Sequence, residues 1–560
     1  MSGTHRGRGA DATIGGYLIN RLQDYGIRHI FGIPGDYVLG FYSMLEESPI
    51  EVVGATREDC AGFAADAYAR VGGMGALCVT YCVGGLSVCN SVAGAFAEKS
   101  PVVVISGAPG LNERRNNPLL HHKVRDFRTQ MEVFERLCIA GTELRDPLTA
   151  FAEIERVLDA CDRYKRPVYI EIPRDMVHVV PPAAQSFLRP REEIDQDALA
   201  EAVREAIERL NRAKKPVIIA GVEIHRFGLQ DLVLELAEKA EIPIAATILG
   251  KSVIQETHPL YVGLYEGALG CDEVTDFVEE SDCILLLGTF MTDINLGIYT
   301  AELDLRKCIY ATSEQLQISH HFYRDIPLDA FLQALIAAEP HPSKRPIPEE
   351  IKPRIEPIEV EPARPLQISR MVKMLNSHLH KDNIVIADIG DALFASTELV
   401  VHERADFLSP AYYTSMGFSV PAIVGASCAK PDQRVIAICG DGAFQMTGQE
   451  LSTVIRLGLS PILIILDNGG YVTEKFLHPG DWKYNDIHPW NYYKLPDIYG
   501  GGRGYKVQTE GEFAEALEQA LEDQSCAQII HAVMAPGDAS HTLRCLAERL
   551  GQQVGGHPAS

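Results

Sequence analysis

The chain has 560 residues and a formal charge of −25, with 46% hydrophobic and 23% charged residues. Such a length exceeds what one hydrophobic core organises, so three or four soluble globular domains are expected. The acidic balance argues against nucleic acid or an acidic membrane surface as a partner, since both need a basic face; small anionic substrates stay compatible, because a few local donors can focus the field in a cleft.

Taken in chain order, the first segment, MSGTHRGRGADA, is polar and lacks the apolar core of a secretory signal. No run of about 18 apolar residues follows, and a cytoplasmic location is the expectation. Short runs rich in Val and Ile then recur: HIFGIPGD, ALCVTYCVGG, PVVVISGAPG and PVYIEIPRD. Between them lie stretches with helical spacing such as CAGFAADAYARV. Alternating strand and helix predicts α/β layers, and strands this uniformly apolar want cover on both faces, as in parallel sheets. The thirteen cysteines are scattered and form no C-x-x-C pair, so they read as reduced core thiols.

The pattern breaks twice. A polar, Pro-bearing stretch near 180–198 precedes new strands at KPVIIAGVEI, IPIAATILGKS and CILLLGTF, and residues 339–365 hold eight of the 32 prolines. Such proline density predicts a stiff connector without a core. The expected organisation is an N-terminal domain over 1–185, a central domain over 195–338, a linker over 339–361, a C-terminal domain over 362–545 and a polar tail over 546–560.

In the last domain the strand in AICGDGAFQMTGQE runs into Gly440-Asp441-Gly442, and the strand in PILIILDNGGYVTE ends on Asn468, 27 residues after Asp441 (468 − 441), followed by Gly469 and Gly470. The two familiar phosphate motifs both fail: Gln445 stands where a dinucleotide fingerprint needs its third glycine, and Ala245 in AATILGKS where a P-loop needs its first. An Asp at the carboxyl end of a parallel strand nevertheless stands where α/β sheets bind ligands, with glycines that let the backbone approach a phosphate. One carboxylate, one amide carbonyl and one backbone carbonyl make an oxygen set suited to Mg²⁺ shared with phosphates.

Gly440-Asp441-Gly442 with Asn468 resembles the diphosphate and magnesium motif of thiamine diphosphate-dependent enzymes, and nearly the whole chain is similar to the 2-oxo-acid decarboxylase branch. FGIPGD ends on Asp36, TREDCAGFAADAYAR contains Glu58, LLHH ends on His121 and His122, and NGGYVTE ends on Glu474. The resemblance implies three doubly wound α/β domains: pyrimidine-binding, central and diphosphate-binding. It implies Mg²⁺ held by Asp441, Asn468 and the Gly470 carbonyl. It implies that Glu58 pairs with the cofactor's aminopyrimidine, favouring the tautomer that removes the thiazolium proton, while Asp36, His121, His122 and Glu474 move protons over the substrate. Thr414, Ser415 and Met416 would line the pyrimidine, with Met416 as the wedge that bends the cofactor; Asp391, Gly442, Ala443 and Tyr471 would line the rest. Because Glu58 and Asp441 fall in different domains, it also implies a cofactor shared between two subunits, hence a homodimer at least and a homotetramer as the usual form.

The implied activity is non-oxidative decarboxylation of a 2-oxo acid to an aldehyde and CO2. A carboligase resembling acetohydroxyacid synthase is the alternative, disfavoured by LLHH and Glu474. Three positions depart from the pyruvate-decarboxylase pattern: Asp391 replaces a hydroxyl residue, Gly85 a Glu, and Asp467 an Asn. The wording of GDALF points towards aromatic or branched acids, whereas GGYVTE and YNDIHPW point towards pyruvate and indolepyruvate. No Cys occupies the AGVEIH loop, where yeast-type enzymes can carry a regulatory thiol.

Overall fold

The computed structural model describes residues 12–182, 187–189, 194–402 and 406–554. Three sheets account for the strands. The first is built from β1 (His29–Gly32), β2 (Glu51–Gly54), β3 (Gly75–Val79), β4 (Val102–Ala108), β5 (Ala140–Glu143) and β6 (Val168–Pro173), in the order β2-β1-β3-β4-β6-β5. Every pairing in it is parallel. The third has β14 (Asn383–Ala387), β15 (Phe407–Leu408), β16 (Arg434–Gly440), β17 (Ile462–Asp467), β18 (Arg503–Val507) and β19 (Gln528–Val533), in the order β15-β14-β16-β17-β19-β18. It too is wholly parallel.

Between these in sequence lies the second sheet, with β7 (Pro216–Ala220), β8 (Ile244–Ala246), β9 (Tyr261–Leu264), β10 (Cys283–Leu287), β11 (Cys308–Ala311), β12 (Leu316–Ile318) and β13 (His321–Tyr323). Its order is β13-β12-β11-β10-β7-β8-β9, and only β12 and β13 run antiparallel to their neighbours. The expected α/β class of mainly parallel sheets is therefore what forms. The cause is visible in the strands: β4, β10 and β17 are buried along their whole length, so both faces must be covered by helices.

The chain divides into two compact units, one made of Met1–Arg191, Val420–Asp432 and Thr447–Leu459, the other of Glu192–Ser419, Gln433–Met446 and Ser460–Ser560. In the first unit the helix Glu58–Gly72 is buried from Cys60 to Arg70. A buried helix must pair its charges: Arg70 donates to both oxygens of Asp66 at 2.8 Å and to Glu98 at 2.7 Å. All thirteen cysteines are free thiols, most of them buried, and no helix among the described residues is long and apolar enough to cross a membrane.

Two expectations need correction. The tail expected from 546 is, as far as Val554, the second half of the helix His541–Val554; Leu543, Leu546 and Ala539 bury themselves beside Leu393, Phe394 and Val472, a driving force hidden by the polar residues between them. The linker 339–361 is irregular apart from one short turn at Glu349–Ile351, but it is not without packing. Its Ile351 is buried in the core of the second sheet and Ile347 packs there too.

Candidate active site

In the second unit a cleft of about 320 Å³ opens at the carboxyl ends of the third sheet's strands. Parallel pairing places Gly440 of β16 opposite Leu466 of β17, which brings the residues that follow, Asp441 and Asn468, to one lip. A Cβ on Gly442 would lie 2.6 Å from the Tyr471 ring and from Ile487 Cδ1, so a larger residue there would push both side chains aside. Gly469, at φ 73°, turns the chain away from the strand.

Asp441 is 4% exposed and accepts from the backbone N–H of Gly442 at 2.7 Å and of Gly469 at 3.2 Å. Burial, opposed by those N–H groups and reinforced by the nearby Asp467 carboxylate, pushes its pKa up to about 7. Asp467 itself is occupied, because His531 Nε2 lies 2.7 Å from its Oδ2. Beside them Asn468 Oδ1 is shut off from solvent and has no hydrogen-bond partner among the described residues. A buried orphan carbonyl costs on the order of 1–3 kcal/mol unless a ligand satisfies it. Next to a carboxylate, and above glycines that leave the backbone bare, this donor set fits a hard divalent cation on a phosphate.

The same cleft is lined by Asp391, Thr414, Met416, Gly442, Ala443, Gly470, Tyr471 and Glu474; Ser415 stands between two of these but is not itself a lining residue. Thr414 sits at φ 57° and Gly417 at φ 85°, so the loop holding Met416 is tightly wound. Asp388, at the end of β14 and fully buried, pins it by accepting from Gly417 N at 3.0 Å, Ser419 N at 2.8 Å and Ser419 Oγ at 2.7 Å. Asp391 starts the helix Asp391–Ser396, but its carboxylate is taken by Ser540, whose N–H and Oγ both donate to it. Burial, opposed by these bonds, pushes Asp391 up to about 6. Asp388 and Ser540 were not singled out in the sequence; nothing local marks either one.

The remaining predicted residues lie in the first unit. His121 Nε2 is 2.7 Å from Asp36 Oδ2, and its ring stacks on Tyr37 at 4.7 Å between centroids. His122, held at φ 66°, meets His121 edge-on at 4.8 Å and has a buried Nδ1 without a partner among the described residues. Arg174 approaches Asp36 at 3.9 Å, covers the Tyr37 ring at 5.1 Å and donates to Glu113 at 2.9 Å. Tyr37, Arg174 and Glu113 thus complete a cluster of which sequence reasoning found only the three members Asp36, His121 and His122. Glu58 begins its helix half-buried, without a hydrogen-bond partner for its side chain among the described residues.

Comparison with known proteins matches this arrangement to one class. Residues 12–132 match the N-terminal TPP binding domain of thiamine pyrophosphate enzymes, 203–338 their central domain, and 385–531 their C-terminal TPP binding domain. The chain belongs to the thiamine diphosphate-dependent 2-oxo-acid decarboxylases, and so is a carboxy-lyase. Among its relatives, an indole-3-pyruvate decarboxylase of Azospirillum brasilense is 38% identical over 94% of this chain and 96% of its own. Pyruvate decarboxylase 3 of Arabidopsis thaliana is 32% identical over 95% and 92%. An alpha-keto-acid decarboxylase of Mycolicibacterium paratuberculosis is 32% identical over 93% and 94%.

Proposed function

We propose that the enzyme uses thiamine diphosphate with Mg²⁺ to decarboxylate an aromatic or branched-chain 2-oxo acid to its aldehyde. The observation that carries the cation is the orphaned Asn468 Oδ1 beside Asp441. Asp441, Asn468 and the Gly470 carbonyl hold it on the diphosphate; Gly442, Ala443 and Tyr471 line that end, with Asp391 shaping the wall through Ser540. Thr414, Ser415 and Met416 support the pyrimidine, and Asp388 keeps their loop in place. When bound, the cofactor supplies the electron sink that makes loss of CO2 feasible.

Glu58 would serve the cofactor's pyrimidine ring as its hydrogen-bonding carboxyl. His121 Nε2, coupled to Asp36 Oδ2, together with His122 and Glu474, gives and takes protons at the substrate. Asp36, His121 and Glu474 are all open to solvent in the single chain, and Leu119, two residues before His121, is 97% exposed. Proton chemistry of this kind needs water excluded, which supports a homodimer, paired further into a tetramer, in which a second copy covers these groups.

The substrate class rests on the printed name of the Azospirillum brasilense relative and on the GDALF segment. Pyruvate is the second reading, favoured by the pyruvate decarboxylases at 32% identity. The deciding measurement is kcat/KM for pyruvate, 3-methyl-2-oxobutanoate, phenylpyruvate and indolepyruvate, with aldehyde and acetolactate-type products quantified. Highest kcat/KM on pyruvate would select the second reading, and ligated products without free aldehyde would refute both.

A further inference from the structure

A second cavity, of about 300 Å³, opens in the second unit between the end of β9, the linker at Ile351–Arg354, the segment Thr397–Val400 and the start of the helix His541–Val554. None of its lining residues lines the catalytic cleft. Beside Glu256, which is paired with Lys251, its interior holds two further nearly buried charged side chains, Lys251 and Glu266.

These two differ in how they are satisfied. Lys251 Nζ donates to Glu256 Oε1 at 2.7 Å, to the Leu399 carbonyl at 2.6 Å and to the Thr397 carbonyl at 3.3 Å, which uses all three of its protons. Glu266 is 4% exposed, its carboxylate accepts no hydrogen bond from any described residue, and its Oε1 is closed to solvent. Burial, partly offset by Lys251 and reinforced by Glu398, pushes its pKa up to about 7. A carboxyl in that condition lacks a donor, and the cavity it lines is where a donor can come from.

The rest of the lining narrows the chemistry. Val274, Ile351 and Leu399 make apolar wall, while the rim carries Lys352, Arg354 and His541 together with the carboxylates of Glu350 and Glu398. Lys352 Nζ donates to Glu349 Oε1 and Arg354 Nη2 to the Glu349 backbone carbonyl, at 2.6 Å each, which fixes their heads at this edge. The cavity is too roomy for one dehydrated metal ion, which would leave most of its volume unfilled. An acid without a donor inside, apolar sides, and at the rim two cations that each keep further N–H donors beyond their bond to Glu349 match an ammonium, a hydrocarbon body and a carboxylate.

We propose that this cavity is a binding site for a small zwitterion, an α-amino acid with an apolar side chain, its ammonium on Glu266 and its carboxylate towards Lys352 and Arg354. The site stands apart from the reading of the substrate. It shares two supports with the catalytic cleft: the helix Asp391–Ser396 starts in the cleft and leads into Thr397 of the cavity, and the helix His541–Val554 contributes His541 to the cavity and Leu546 to the cleft.

The test is calorimetric titration of the holoenzyme, loaded with thiamine diphosphate and Mg²⁺, with L-leucine and with 4-methylpentanoate, which lacks the ammonium. L-leucine should bind, at least about tenfold more weakly in Glu266→Gln and a few-fold more weakly in the rim variant Lys352→Ala, and 4-methylpentanoate should bind at least about tenfold more weakly than L-leucine. Decarboxylation by Glu266→Gln at the wild-type rate confirms that the variant is folded. Absence of L-leucine binding, binding indifferent to Glu266→Gln, or equal affinity for 4-methylpentanoate would each overturn the assignment.

Discussion

The first and third sheets share one strand order, β1 to β6 matching β14 to β19 in turn, yet their lips are filled in opposite ways. At the third sheet, β16 and β17 lead into Asp441 and Asn468, and the space beyond them is left open as the cleft. At the first, the counterparts β3 and β4 lead into Thr80–Gly85 and Pro109–Gly110, and the chain plugs the gap with its own Gln130. Gln130 is fully buried, accepts from Cys82 N at 2.7 Å and donates to Ser106 Oγ at 2.9 Å and Tyr169 Oη at 2.6 Å. That plug also accounts for Gly85: a Cβ there would collide with Gln130 Oε1. A doubly wound sheet offers a binding position at its strand ends, and side chains decide whether a ligand or the protein occupies it.

Substitutions at the two lips should separate holding the cofactor from moving protons. The largest effect is expected for Asp441→Ala at the third sheet: thiamine diphosphate retained after desalting and activity should both fall at least about a hundredfold. Unchanged Mg²⁺ dependence would remove the cation from that lip. At the first sheet, Asp36→Asn should lower kcat roughly a hundredfold, with cofactor retention as in the wild type; a parallel loss of retention would erase the contrast. Smallest is Asp388→Asn, which keeps the shape but turns one acceptor oxygen into a donor facing Ser419. A loss of about 1–3 kcal/mol in denaturant unfolding is expected, together with weaker retention of thiamine diphosphate as the Met416 loop loosens. Stability lost with retention intact would limit Asp388 to a structural part.

What the sequence disclosed depended on range. The apolar strands and the glycines around Asp441 and Asn468 are local signals, because a strand end and its turn occupy a few consecutive residues. The His121–Asp36 contact spans 85 residues and was reachable only through resemblance. The Asp391–Ser540 bonds span 149, and no periodicity encodes which hydroxyl will meet a buried carboxylate. Arg174 and Glu113 escaped for the same reason: each looks like a surface charge until the fold brings them beside Tyr37. Polar residues in the C-terminal helix hid an apolar stripe whose partners lie far upstream.

The proline-rich connector behaves mechanically as a splint rather than a spacer. Arg345 Nη1 donates to the Lys215 and Pro216 carbonyls at 3.2 Å and to Ser281 Oγ at 2.8 Å, and its guanidinium lies 3.5 Å above the Phe277 ring. Ser343 N adds a bond to the Ala240 carbonyl at 2.8 Å, and Ile351 locks the far end. A strap nailed down at three places cannot swing out to fit a protease channel, so the peptide bond between Lys344 and Arg345 should resist trypsin for as long as the second sheet stays folded.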